Sequence, residues 1–163
     1  MSDLPVFTIT RLFAVDRDTM YDAWADPRRM VQWSGPKGST VEILSGEVSE
    51  GHTVHSKTVS PDMPPMYTLA KWITLSRPER VVWEQSFADE YGKKTVPEFF
   101  DAWPETLLTE VDFTEEEGGT RVTLSWTPIE ATPEALTEFE KQMAGMKGGW
   151  GGSFDELEAF LAG

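Results

Sequence analysis

The chain has 163 residues, with 28 acidic against 14 basic side chains and a formal net charge of −14. That charge repels phosphate backbones and anionic lipid, which sets nucleic acid aside as a partner. The absence of cysteine removes disulfides, thiol nucleophiles and thiolate metal sites.

Seven Trp and nine Phe in a chain that is 39% hydrophobic describe a folded protein with a sizeable core, and the length fits one domain over 1–163. No apolar run approaches the ~20 residues of a membrane span. The opening Met1-Ser-Asp-Leu-Pro-Val6 lacks the basic and apolar regions of a signal peptide. The expectation is a cytoplasmic protein with no membrane insertion.

Phe7 to Phe13 alternates, with Phe7, Ile9 and Arg11 on one side, and predicts an N-terminal strand. Asp16 is placed to cap a short helix reaching Trp24, and Asp26-Pro27 starts a second one that ends near Trp33. Strands are then predicted over Val41–Leu44, Thr53–Val59, Tyr67–Leu75 and Val81–Phe87, with Leu69, Ile73 and Leu75 sharing parity. Residues 89–105 read as a loop carrying Phe99, Phe100 and Trp103. Leu107, Val111 and Phe113 share a strand face opposite Glu110 and Asp112, and after an acidic turn Val122, Leu124 and Trp126 alternate again. Such alternation in neighbouring strands predicts an antiparallel sheet with one wet face.

The C-terminal segment holds five glycines between Gly145 and Gly152, yet it reads as a helix. Thr132-Pro133-Glu134 is a helix start. Leu136, Phe139, Met143, Met146, Trp150, Phe154, Leu157 and Leu161 then recur at spacings of 3 or 4, with every glycine off the stripe. Glycine costs about 1 kcal/mol per helical position, so packing must hold this segment. The expectation is a long helix, straight or bent, lying across the apolar face of the sheet, with the glycines giving clearance for a close neighbour. A hinge between two shorter helices, marked by the glycines, is the alternative.

A strand, two short helices, a run of antiparallel strands and a long closing helix is the helix-grip order, an α+β fold. Four segments carry a closer resemblance. Ala23-Trp-Ala-Asp-Pro-Arg-Arg-Met-Val-Gln-Trp-Ser-Gly-Pro-Lys-Gly38 resembles the W-x-D-P-x-x-x-x-x-W-x-G-P segment of the activator-of-heat-shock-protein-ATPase-like family, part of the START-like, pollen-allergen-like SRPBCC superfamily. Arg77-Pro-Glu-Arg-Val-Val-Trp83, Gly118-Gly-Thr-Arg-Val-Thr-Leu124 and Gly149-Trp-Gly-Gly-Ser-Phe-Asp-Glu-Leu157 are similar to its later motifs, in order. Ser34 and His52 depart from it, standing where many relatives carry Trp and Gly.

The resemblance implies a protein, monomer or homodimer, that holds a small hydrophobic or amphipathic molecule between sheet and helix and needs no cofactor. It leaves open a cyclase, aromatase or hydrolase acting on such a molecule. It also leaves open an adaptor for a heat-shock chaperone, an expectation weakened because the extra N-terminal domain of the eukaryotic activators is not seen ahead of this module.

Candidate lining residues are Trp33, Trp83, Phe87, Phe99, Phe100, Trp103, Val111, Phe113, Leu124, Trp126, Phe139, Met143, Met146 and Trp150, although for any one of them filled core is the commoner reading. Gln85 shares parity with Trp83 and Phe87 and is the polar candidate. Other strand polars, including His55, Tyr67, Glu84 and Arg121, are expected mostly in solvent, and Glu110 and Asp112 as a solvated pair. His52 and His55, three residues apart on a strand, face opposite ways and share no metal.

Overall fold

In a computed structural model that describes residues 4–61, 63–97 and 100–163, seven strands and four helices follow one another. They are β1 (Phe7–Phe13), α1 (Arg17–Ala25), α2 (Pro27–Met30), β2 (Thr40–Ser45), β3 (Thr53–Val59), β4 (Met66–Ser76), β5 (Arg80–Ala88), β6 (Thr106–Glu116), β7 (Gly119–Glu130), α3 (Pro133–Lys141) and α4 (Met143–Leu161). The strands form one curved sheet in the order β1-β7-β6-β5-β4-β3-β2, with every neighbouring pair antiparallel. With the helices packed on one face, this is the helix-grip, α+β arrangement. Among the described residues no helix is long and apolar enough to cross a membrane.

Local chemistry sets the helix ends. The Asp16 carboxylate accepts from the Thr19 amide at 2.7 Å and caps α1. Asp26 ends α1 and starts α2, where its carboxylate accepts from the Arg28 amide at 3.0 Å just ahead of Pro27. Thr132 Oγ1 accepts from the Ala135 amide at 3.2 Å at the start of α3.

The inner face of the sheet is bulky on one side. Val81, Trp83, Leu107, Val111, Phe113, Val122 and Leu124 of β5, β6 and β7 are all buried there. The C-terminal half of α4 docks on this side and on β1: Phe154 and Leu157 are fully buried, and Phe154 meets Phe13 edge-on at 5.6 Å. Arg11, on the inward parity of β1, lies 5.6 Å from the Phe154 ring and bonds Asp155 at 2.7 Å. The outer face is polar. Thr8 meets Ser125, Thr10 meets Thr123, and Arg80 bridges Glu110 and Asp112.

Three sequence expectations change. First, the closing segment is two helices, but the break falls at Gln142, ahead of the first glycine. Gln142 keeps a right-handed conformation, and its amide is shared between the Glu138 and Phe139 carbonyls at 3.1 Å each, so the apolar stripe continues in phase. Second, the glycines make no room for a neighbour: an added Cβ at Gly148, Gly149, Gly151 or Gly152 meets nothing within 4 Å. Third, Leu69, Ile73 and Leu75 do not share one face of β4. A bulge between Trp72 and Thr74 leaves Ile73 exposed and pairs Leu75 with the inward Val81, and the inward row ahead of the bulge is Thr68, Ala70 and Trp72.

Gly148→Ala and Gly152→Ala are expected to raise stability by about 0.4–1 kcal/mol each, read as a higher urea midpoint. Gly119→Ala is expected to lower it, because Gly119 has φ +145 and a Cβ there would collide with the Phe13 carbonyl oxygen.

The cap carboxylates set an acid-side dependence. Hydrogen bonds from Thr19 and Arg28 hold Asp16 and Asp26 below the ordinary aspartate pKa. Their folded pKa values lie below the unfolded ones. Their contribution is therefore present above the ordinary aspartate range and lost as pH falls through the folded value. Asp16→Asn combined with Asp26→Asn keeps both caps without a titrating group, so urea midpoints measured against pH are expected to fall less steeply in acid than for the parent.

Candidate functional site

The opposite side of the inner face is small. Val54, Ser56 and Thr58 of β3 and Thr68 and Ala70 of β4 point inward where β5 to β7 present aromatic and branched side chains. Helix α4 bridges above them, resting on the bulky side, and the mismatch leaves a cavity of about 370 Å³. Met146, Gly149, Trp150 and Ser153 of α4 form its roof. Met30, Trp33, Ser34, Gly35 and Pro36, together with Val41, close one end. Trp24, Trp72, Trp83, Gln85 and Trp126 complete the wall.

The indoles are held by one another and by a few hydrogen bonds. Trp24 is buried and touches five rings: Trp33 at 4.7 Å, Trp83 at 6.0 Å, Phe113 at 6.2 Å, Trp150 at 6.2 Å and Phe154 at 6.4 Å. Trp33 Nε1 donates to the Ala23 carbonyl at 2.9 Å and Trp126 Nε1 to Thr109 Oγ1 at 2.8 Å. Trp83 Nε1 donates to Gln85 Oε1 at 3.1 Å. Trp24 Nε1 and Trp72 Nε1 are buried with no acceptor among the described residues.

Of the sequence candidates, Trp33, Trp83, Gln85, Trp126, Met146 and Trp150 stand in the cavity wall. Val111, Phe113, Leu124 and Phe139 lie in filled core, between 0% and 2% exposed. The first three lie on the side of the sheet that α1 and the C-terminal half of α4 cover closely, and Phe139 packs from α3 against Trp103. Trp103 is buried between Phe139 at 6.0 Å, Phe87 at 6.4 Å and a stacked Phe100 at 4.4 Å. These aromatics pin residues 100–103 to α3 and β5 and do not stand over the cavity. Met143 packs against the core beside the break in the helix. Phe99 lies outside the described residues.

The small row Ser56, Thr58, Thr68 and Ala70 is not legible from apolar periodicity, which registers bulk and not its absence. Its signal was the alternation of small residues in β3 and β4, read together with Trp72. Trp24 was assigned to its helix and not to the wall, although it opens the W-x-D-P motif.

The outer-face groups are tied up structurally. Arg80 holds Asp112 with both carboxylate oxygens, at 2.7 and 2.8 Å, and holds Glu110 as well, so the acidic pair is an ion-paired clamp between β5 and β6. The Asp112 hydrogen bond pushes the Arg80 pKa further up. His55 is 8% exposed, contrary to the solvent position expected for most strand polars. The turn after β5 folds over it, and its Nε2 lies 3.0 Å from the Asp89 carbonyl. In a groove near the ends of β6 and β7, about 730 Å³, Lys94 is already engaged, reaching Thr106 at 2.9 Å, Glu130 at 3.6 Å and Glu105 at 3.8 Å.

Residues 14–162 match the family model described as Activator of Hsp90 ATPase homolog 1-like protein. The chain belongs to this family. Solved structures share the fold. A crystal structure from Mycobacterium smegmatis is 23% identical, covers 98% of this chain and 96% of its own, and superposes with a TM-score of 0.78. Solution structures from Arthrobacter aurescens (23% identity, 96% and 86% covered, TM-score 0.80) and Staphylococcus epidermidis (21%, 99% and 92%, 0.76) agree with it. No curated protein matches the chain. The family's W-x-D-P…W-x-G-P segment supplies Trp24, Trp33, Gly35 and Pro36 of the wall.

Trp24→Ala is expected to destabilise the protein by about 3–5 kcal/mol. Trp150→Ala, at a half-buried ring, is expected to cost about 1.5–3 kcal/mol. Urea unfolding of both variants measures the difference.

Proposed function

We propose that the protein binds a small hydrophobic or amphipathic molecule in the cavity between β3, β4 and α4. The observation that carries this reading is the distribution of bulk. The same inner face that is filled over β5 to β7 is left small over β3 and β4, beneath a roof of Met146 and Trp150. Cavities of a few hundred Å³ with apolar walls and a few polar groups are the usual form of small-molecule sites. Met146 suits a roof that adjusts to its occupant.

Binding is favoured over acid–base catalysis by the chemistry of the wall. Its polar side chains are Gln85, Ser34, Ser56, Thr58, Thr68 and Ser153, besides the indole N–H groups. Among the described residues that line it there is no Asp, Glu, His, Lys, Arg or Tyr to move a proton at neutral pH. The family description names an activator of a chaperone ATPase, but the observation specific to this chain is the cavity.

Ala70→Leu tests the proposal by filling the space from the sheet side. A fluorescent apolar probe is expected to bind the parent saturably at one site, and the variant at least about tenfold more weakly, with an equal or higher melting temperature. Unchanged probe affinity in a folded Ala70→Leu variant would refute the site.

A further inference from the structure

We infer that the cavity selects an uncharged, planar aromatic molecule bearing a carbonyl or similar hydrogen-bond acceptor, and that Gln85 reads that acceptor. This rests on the cavity being a ligand site and goes on to specify its occupant.

The argument begins with the Gln85 amide. An indole N–H only donates, so the atom 3.1 Å from Trp83 Nε1 is the amide oxygen, and the opposite end of the amide is the NH₂ group. That NH₂ has no protein partner among the described residues, and it is not one of the solvent-inaccessible orphans. Gln85 belongs to the cavity wall, so the wall carries a donor whose orientation a neighbouring ring holds in place. The Trp72 N–H also lacks an acceptor among the described residues but is buried away from the cavity space, so the Gln85 NH₂ is the donor open to a ligand. The accessible unsatisfied group of fixed polarity is thus a donor, and a ligand acceptor is what it lacks.

Charge narrows the class further. An ionised ligand buried here would lose hydration with no countercharge in the wall. A carboxylate would also be repelled by a chain of net charge −14. A cation would find indole faces but no carboxylate in the wall to replace its hydration, and it would leave the Gln85 NH₂ without an acceptor. A neutral acceptor meets none of these penalties. Six indoles supply the surfaces that favour a flat ring system: Trp24, Trp33, Trp72, Trp83, Trp126 and Trp150.

Three probes of similar shape separate the terms: acetylnaphthalene (neutral, with acceptor), ethylnaphthalene (neutral, without) and naphthoate (charged). Titration calorimetry on the intact protein is expected to show acetylnaphthalene binding about five- to tenfold tighter than ethylnaphthalene, the equilibrium worth of one net hydrogen bond. Naphthoate is expected to bind more weakly than either. In Gln85→Leu and Gln85→Met the acetyl preference should vanish while ethylnaphthalene affinity is retained, which also reports an intact cavity. An acetyl preference unchanged in both variants, or naphthoate binding best, overturns the role of Gln85. If none of the three binds the parent protein, the cavity reading and this inference fall together, whereas binding without discrimination overturns the inference alone.

Discussion

Trp24 is the contact on which the rest of the structure depends. Its ring is buried at the meeting of α1, the turn after α2, β5, β6 and α4, touching an aromatic side chain from each of the last four. Aromatic pairs add about 0.5–1.5 kcal/mol beyond the area they bury. Five partners on one ring outweigh an indole N–H left without an acceptor, and they fix the height at which α4 crosses the sheet. With Phe154 seated on Trp24 and Phe13, the helix cannot sink towards β3 and β4, and the small side chains there stay uncovered.

The glycine-rich helix makes sense in that setting. Its intrinsic propensity is poor, so its shape follows from the side chains that dock it: Met146, Trp150, Phe154 and Leu157 inward, with Arg11 and Asp155 tying its flank to β1. The glycines face open space rather than a close neighbour. Their effect is to leave these positions of the roof without side chains, Gly149 on the cavity wall among them, so that the helix is held mainly by its apolar stripe. A roof of this kind yields more readily than one built on strong helix formers, which accords with an adaptable wall of Met and Trp.

Polarity in the molecule is divided by face. Charged groups stand on the outer surface, some of them in ion pairs, as in the Arg80 clamp with Glu110 and Asp112, or in Arg77 with Asp18 and Asp22 beside Tyr21. The cavity holds hydroxyls, an amide and indoles. That separation is why the acidic character of the chain contributes no group to the wall among the described residues.

From the amino-acid sequence alone came the order of elements, the caps at Asp16, Asp26 and Thr132, the strand parities of β1, β6 and β7, and the apolar stripe of the closing helix. These are local properties: a cap bonds an amide two or three residues on, and a stripe or an alternation repeats within one element. The family motifs were legible for the same reason, each being a contiguous run. What only the tertiary structure decided was where bulk is missing. A cavity is a difference between facing surfaces, so no single strand displays it; Ser56, Thr68 and Ala70 become a wall only because Trp24 and Phe154 hold α4 away from them. The inward row of β4 was hidden by a bulge at Ile73, and the break at Gln142 by an apolar spacing that runs through it unchanged. Val111, Phe113 and Leu124 share the apolar character of Trp83 and Trp126, and the closeness of the helices that face them separates filled core from open wall.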